Sequence, residues 1–510
     1  MTRAFSCARG PHAVVRCVAG LPPWNVTALF VAVLLCTAAA SNVLAADATH
    51  PNVLFIAVDD LNHWVGHLGR NKQTITPHID RLAARGVTFT HSYCAAPVCN
   101  PSRVALLTGM RPWTTGVYDN KGDWRPSIAA DLTLPTTFRK AGYYVAGAGK
   151  IYHGGFDRHS DWDDYLERPG RDPSPTGDTG VGGIRFAPLD CADEDLVDWK
   201  SVAFGIEQLG KPHDKPMLLT IGLHKPHMPW FVPRKYYDMH PLEKIELPPV
   251  REDDLADVPP AGIQMAKPRG DHRQILESGR WKEAVQGYLA AVSFSDTMIG
   301  RLLDALDRSA YRDNTIIVFW GDHGWHLGEK EHWRKFTLWE EATRAPLIWV
   351  VPGMTKPGGV CARTVDFMSI FPTLTNLAGI ATPPHVQGKS IRSLLSDPQA
   401  AWDQPGITTF GFNNHAVRNE GWRYIRYANG DEELYDEVAD PYEWKNLASE
   451  PSLADKKREL AKFLPRDNAP NVSGQADEGS PDASAANRKA DKTKRHAARR
   501  ELRRAERNER

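Results

Sequence analysis

Two aspartates close one apolar run, Asn52 to Val58 followed by Asp59-Asp60, and a third closes another, Thr315 to Trp320 followed by Gly321-Asp322-His323-Gly324. Carboxylates brought together repel unless a cation lies among them, and hard oxygen ligands suit Ca²⁺ or Mg²⁺. The same residues also make ordinary strand-end caps and turn residues, so the carboxylates alone leave both readings open. The segment Cys99-Asn100-Pro101-Ser102-Arg103, running on to Gly109, adds a nucleophile. Pro101 in a first turn and Gly109 after an apolar stretch describe a short helix whose N-terminus abuts Cys99. A helix N-terminus stabilises an anion, and Arg103, one turn along, reaches back to the same place. A buried or disulfide-bonded cysteine before a helix would read the same way.

These residues need elements to bring them together. Asn52 to Val58, Met217 to Gly222, Thr315 to Trp320 and Leu347 to Val351 are continuous apolar runs, which reads as strands buried on both faces. Helical patterns lie between them: His78 to Arg85 after Pro77, Ala192 to Leu209, and the amphipathic Trp281 to Asp307. Alternation of this kind implies a parallel sheet covered on both sides, with ligands at the carboxyl ends of its strands. From about Gln404 the pattern changes to short alternating strands (Thr408 to Phe412, Trp422 to Tyr427, Glu432 to Tyr435) and then a helix from about Ser452 to Leu464. That describes a small antiparallel α+β unit packed on the larger one.

The 510 residues, 42% hydrophobic and 24% charged, suffice for one large or two ordinary globular domains and exclude disorder of the whole. Lys plus Arg and Asp plus Glu are 62 each, so bulk charge makes no case for nucleic acid as a partner. Residues 1–45 read as a secretory signal: Arg3, Arg9 and Arg16 without an acid, an apolar Val26 to Ala40, then small residues at the cleavage spacing. An uncleaved anchor is the alternative. The expectation is export to a periplasm or the exterior, with Cys7, Cys17 and Cys36 lost and Cys94, Cys99, Cys191 and Cys361 kept. Four widely spaced cysteines are no disulfide framework, and Cys191 with Cys361 is the expected pair. From Arg466 onward aromatic and β-branched residues become scarce, predicting a disordered tail over 466–510. Its last stretch, Arg488 to Arg510, carries eleven basic and four acidic residues and could touch anionic polysaccharide or the cell envelope.

The pattern Cys99-x-Pro101-Ser102-Arg103 resembles the type I sulfatase signature. Within that family the chain is most similar to iduronate-2-sulfatases. The likeness rests on Gly149-Lys150-Ile151-Tyr152-His153-Gly154, His224-Lys225-Pro226-His227-Met228-Pro229-Trp230, Gly321 through Glu329, Trp333-Arg334-Lys335-Phe336 and Ala345-Pro346-Leu347-Ile348. It covers Pro51 to about Leu447. The resemblance implies an α/β, alkaline-phosphatase-like catalytic domain over 47–400, a large mixed or parallel sheet flanked by helices, with the small α+β subdomain over 401–465.

It further implies that a maturase oxidises Cys99 to formylglycine, whose hydrate is the nucleophile, and that Asp59, Asp60, Asp322 and His323 hold Ca²⁺ together with the oxygen at position 99. Many sulfatases carry Asn where His323 stands, and a nitrogen on a hard cation is less expected. Lys150 and Lys335 would bind the sulfate oxygens, Arg103 would favour the alkoxide, His227 would protonate the departing sugar oxygen, and His153 would deprotonate the second hydroxyl so that sulfate is released. His224, His326, His332 and Trp333 would line the sugar pocket or only support it, while His63 and His67 read as structural. The implied substrate is a sulfated polysaccharide or glycosaminoglycan fragment, foremost a uronate 2-O-sulfate, read by loops such as Phe156 to Pro188 and Pro233 to Arg280. Alternatives are a phosphodiesterase or phosphonate monoester hydrolase of the same superfamily, a choline sulfatase, or a dead scaffold whose basic tail adheres to polysaccharide.

Overall fold

The computed structural model describes residues 50–474, so the expected signal and most of the expected tail lie outside it. At its centre is strand β1 (Asn52–Val58), whose residues are all buried. Leu54, Ile56 and Val58 face one apolar cluster, and Val53, Phe55 and Ala57 face the other. A strand covered on both sides has no polar face to alternate with, which is why it reads as a continuous apolar run.

Seven further strands complete the sheet: β2 (Val87–Tyr93), β3 (Tyr144–Gly149), β4 (Asp164–Leu166), β5 (Met217–Leu223), β6 (Thr315–Gly321), β7 (Leu347–Val350) and β8 (Gly359–Asp366). Their order is β8-β2-β7-β6-β1-β5-β3-β4. β1 is parallel to both β5 and β6, and β3 is parallel to β5 and β4. β7 runs antiparallel to β6 and β2, so the sheet is mixed. Helices cover both faces. On one lie α1 (Pro77–Ala83), α4 (Val197–Gly210) and the long α5 (Trp281–Arg308); on the other lie α2 (Cys99–Thr108), α3 (Leu134–Lys140) and α6 (Ile370–Leu377).

The register decides where the chemistry sits. Val58 pairs with both Leu223 and Gly321, and Gly149 pairs with Gly222. The residues that follow these pairs, Asp59, His224, Asp322 and Lys150, therefore leave the sheet along one edge. Gly149 has φ +79°, and a Cβ there would lie 2.1 Å from the Gly222 carbonyl oxygen. Only glycine allows the two strand ends to approach so closely.

A second, four-stranded antiparallel sheet comprises β9 (Gly406–Thr409), β10 (His415–Arg418), β11 (Trp422–Arg426) and β12 (Glu432–Asp436). One face packs Phe410, Ala416, Ile425 and Tyr435 against Val98, Leu255 and Trp339; the other carries α7 (Ala454–Ala461). β10 has no counterpart among the expected strands, nor have β2, β3, β4 and β8.

Two expectations are corrected. Cys191 and Cys361 are both free, as are Cys94 and Cys99. Cys361 lies in β8, at one margin of the sheet, and packs into the cluster on the face of α2, whereas Cys191 packs against the clusters on the opposite side. The expected tail does not begin at 466, because residues 466–474 lie against the catalytic body. The Ala469 amide donates to the Trp113 carbonyl at 2.7 Å and the Val472 amide to the Gly116 carbonyl at 2.9 Å. Low apolar content removed the signal for a core, but backbone groups can still pair. No helix among the described residues is long and apolar enough to cross a membrane.

Candidate active site

Asp59, Asp60, Cys99 and His323 converge, each buried, with one potential ligand atom apiece and all four atoms within 4.8 Å of one another. Asp60 is held in the left-handed region, φ +60°. The Asp322 carboxylate accepts from its amide at 2.9 Å, and the Tyr288 hydroxyl donates to its carbonyl at 2.9 Å. Such a backbone persists at a non-glycine residue only where neighbours over-determine it. Asp60 Oδ2 is buried without a hydrogen-bond partner. An orphaned carboxylate oxygen with a second buried carboxylate beside it suits a divalent cation, so the two aspartates fit the implied Ca²⁺, while the His323 nitrogen is the less expected donor to it. Asp322 stands at the margin of this cluster, its Oδ1 3.5 Å from His323 Nε2 and its Oδ2 taken by Arg103 at 2.9 Å.

Cys99 is the first residue of α2, as its sequence predicts. Its sulfur lies 3.0 Å from Lys335 Nζ, 3.5 Å from His323 Nε2 and 4.0 Å from Asp60 Oδ1. Burial and Asp59 push the thiol up, but Lys150 and Lys335 outweigh them and hold it well below the ordinary cysteine value, with His153 hydrogen-bonded to it as well. Ser102 Oγ donates to the Asp322 carbonyl at 2.5 Å and so ties the helix to the end of β6.

Three cations compensate the acids. Lys150 Nζ bonds Asp59, and Lys335 Nζ bonds Asp60 at 2.5 Å. Arg103 is wholly buried and spans Asp322, Asp59 at 3.4 Å and the carbonyls of Lys150 and Ile151. Burial would raise the Asp59 carboxyl, yet Lys150, His227 and Arg103 hold it well below the usual range. Asp322 is pushed up to about 7 by burial, although His323 and Arg103 oppose the rise. Burial depresses the His323 imidazole, but Asp322 outweighs it and lifts the ring to about 9.

A cleft of about 410 Å³ opens above this cluster, with Lys150, His153 and His227 on its wall. His227 Nδ1 lies 2.5 Å from the Met228 carbonyl and Nε2 lies 3.9 Å from Asp60 Oδ2. A carbonyl accepts only, so Nδ1 carries a hydrogen and Nε2 is the atom that exchanges a proton with the cleft. The six expected catalytic residues, Cys99, Arg103, Lys150, His153, His227 and Lys335, thus surround one place.

The secondary histidines separate. His224 lines the cleft, and burial with Lys150 beside it keeps the ring well below the ordinary histidine value. His332 contacts the Ala266 and Lys335 carbonyls at 2.6 and 2.5 Å, fixing the turn that carries Lys335, and His326 bonds Thr337 at 3.0 Å. Trp333 is core. His63 faces Glu341 at 3.2 Å and His67 faces Asp80 at 3.3 Å, both structural as read from sequence. Sequence reasoning missed Asp198, whose carboxylate accepts from the amides of His224 at 2.7 Å and Lys225 at 2.8 Å. It also missed Lys225, which bonds the Pro229 carbonyl at 2.7 Å and Asp172 at 3.3 Å. Asp198 sits inside a helical pattern with nothing in its neighbours to mark it; Lys225 stood inside a motif read for its histidines.

A family model described as "Sulfatase" matches residues 51–380, well over half the chain. The chain belongs to the sulfatase family. A second model, "N-sulphoglucosamine sulphohydrolase, C-terminal", matches residues 328–469 of this sulfatase. It is 40% identical over 446 residues to a sulfatase of Formosa agariphila, covering 82% of this chain and 87% of the relative. It is 34% identical over 402 residues to human iduronate 2-sulfatase, covering 69% and 73%. Among solved structures, a 2-O GAG sulfatase superposes with TM-score 0.65 at 21% identity, covering 84% of this chain and 98% of that one. A phosphonate monoester hydrolase of Agrobacterium radiobacter does so with TM-score 0.70 at 22% identity, covering 81% and 94%. These two show the shared fold. The protein is a sulfuric ester hydrolase, a sulfatase that resembles iduronate-2-sulfatase.

Proposed function

We propose that this sulfatase is exported and removes sulfate from a sulfated polysaccharide or glycosaminoglycan fragment, foremost a uronate 2-O-sulfate. The observation that carries the reading is the Cys99 sulfur at the head of α2, 3.0 Å from Lys335 and inside the carboxylate cluster, which Lys150 and His227 join to a cleft that they wall together with His153. The 34% identity to human iduronate 2-sulfatase supports the choice of sugar. The leader read in residues 1–45 supports export.

In this proposal a maturase converts Cys99 to formylglycine, whose hydrate supplies the attacking hydroxyl, and Asp59, Asp60, Asp322 and His323 hold a Ca²⁺ that supplies positive charge beside it. The remaining work belongs to side chains. Lys150 and Lys335 turn from Asp59 and Asp60 to grip the sulfate oxygens, spreading the charge that develops as the ester bond breaks. Arg103, anchored on Asp322 and the Lys150 carbonyl, keeps the first turn of α2 electropositive and fixes the direction from which residue 99 approaches. His227 Nε2 delivers the proton to the departing sugar oxygen. His153, whose Nδ1 is buried without a partner, accepts the proton from residue 99 when sulfate is released.

The test joins mass with turnover. A Cys99 peptide lighter by about 18 Da, thiol to aldehyde, together with sulfate release from a 2-O-sulfated uronate disaccharide that Cys99→Ala abolishes, is the expected result. A converted Cys99 with hydrolysis of phosphonate esters and no sulfate release would move the protein to the related hydrolase class. Release from choline sulfate or 4-nitrocatechol sulfate but never from the uronate would correct the substrate.

A further inference from the structure

A uronate 2-O-sulfate carries two anions on one ring, and the cluster at Cys99 accounts for only one of them. Three lysine or arginine side chains lie on the cleft wall: Lys150, Lys225 and Arg168. Lys150 is held by Asp59. Lys225, nearly fully buried, is held by the Pro229 carbonyl and Asp172. Arg168 stands two residues beyond β4, at the margin of the sheet, and is exposed. Its guanidinium makes no hydrogen bond or ion pair among the described residues, although its charge reaches the His224 ring.

The acids around it are already engaged. Asp157 accepts from the Tyr165 hydroxyl at 2.5 Å, and Glu167 faces His159 at 3.4 Å. Asp172 accepts from the Val197 amide at 2.9 Å and faces Lys225. Among the described residues the cleft therefore presents one lysine or arginine side chain without a partner, on the wall formed by the loop after β4. A guanidinium is always charged and offers two parallel donors matched to a planar carboxylate.

We propose that Arg168 is a specificity-determining residue that binds the uronate carboxylate while the sulfate of the same sugar lies at Lys150 and Lys335. This rests on the substrate reading given above. The match selects a sulfated uronate over a neutral sulfated sugar, because an alcohol in place of the carboxylate leaves the guanidinium without its partner.

The experiment compares Arg168→Gln with the unaltered enzyme on a 2-O-sulfated uronate disaccharide and on its carboxyl-reduced counterpart. The expected result is a kcat/KM lower by about ten- to a hundredfold on the uronate, through KM, with the reduced sugar unaffected. Arg168→Lys, which keeps the charge but loses the fork, should recover part of the loss. In a Cys99→Ala background, where the intact disaccharide survives, calorimetry should show its Kd raised by a similar factor. An equal loss on both sugars, or turnover of the uronate with an unmoved KM and Kd, overturns this assignment alone. No turnover of the uronate by the unaltered enzyme, alongside sulfate release from another ester, overturns the substrate reading and this assignment with it.

Discussion

Arg103 contacts both strands that end at the cluster, and it shows how much a single side chain carries there. It is fully buried between Asp59 and Asp322. Removing one member of a buried charge group leaves the others desolvated and unpaired, at a cost of about 3–5 kcal/mol. Arg103→Met should therefore lower the thermal midpoint by several degrees as well as abolish turnover, whereas His227→Ala, at a partly exposed ring, should abolish turnover with the midpoint nearly unchanged; differential scanning fluorimetry beside sulfate release separates the two. Asp60 Oδ2, buried and unpartnered, makes a second prediction at this scale. A chelator should lower the melting temperature and stop turnover, and Ca²⁺ should restore both, since a ligand bound only by the folded state stabilises it. Unchanged melting after exhaustive chelation would argue against a cation among Asp59, Asp60 and His323.

Among the elements, the segment 466–474 is the least expected. It is a strap rather than a helix or strand, bonded to the Pro112–Thr115 turn and the residues after it through the Ala469 and Val472 amides, the Tyr118 hydroxyl on the Ala469 carbonyl at 2.9 Å, and Ser473 Oγ on Asp119 at 2.8 Å. Gly116 lies beneath it with φ +73°, and a Cβ there would come within 2.2 Å of the Pro470 carbonyl oxygen. Gly116→Ala should push the strap off and cost stability through both the strained backbone and the lost bonds. Chains ending after residue 465 should melt lower than chains ending after 474. Equal midpoints for the two truncations would show that the strap contributes nothing.

For the whole molecule, pH acts where the second sheet meets the catalytic body. His415 of β10 is fully buried, edge-on to Trp113 at 5.8 Å and bonded to Thr409 Oγ1 at 3.0 Å. Burial depresses its imidazole to about 3, helped by Arg426. In the unfolded chain an imidazole protonates near pH 6.5, so between those values the unfolded state binds the extra proton. The stability carried by the neutral ring is present above pH 6.5 and is lost progressively as the pH falls toward 3. Between about pH 7.5 and about pH 4.5 the protein should lose about 2–3 kcal/mol relative to His415→Gln, measured by thermal unfolding of both at each pH. A constant difference would mean that the ring takes up its proton at the same pH in the folded and unfolded states. The surrounding seam is bound by charge as well: Arg423 faces Glu437 at 3.1 Å and Glu443 at 2.5 Å, and it bonds Glu340 of the catalytic body.

Local sequence determined the elements and residues whose physics is local. β1, β5, β6 and β7 are legible because strands buried on both faces must be apolar throughout, and α5 is legible because its apolar face repeats with the helical period. Cys99 and Arg103 are legible because Cys-x-Pro-Ser-Arg resembles a family signature, and the paired aspartates take their reading from that resemblance, since alone they would serve equally well as strand-end caps. β3, with the sequence YVAGAG, was not legible, because its small residues answer to the neighbouring strands rather than to any propensity of their own. Only tertiary structure decided the rest. Register set Val58 beside Leu223 and Gly321 and so brought Asp59, His224 and Asp322 to one edge. Placement against clusters on opposite faces of the sheet parted Cys191 from Cys361. The clasp of Asp198 on the His224 loop and the Arg168 guanidinium, unpaired among the described residues, are products of long-range contact, or of its absence, and no local pattern encodes either.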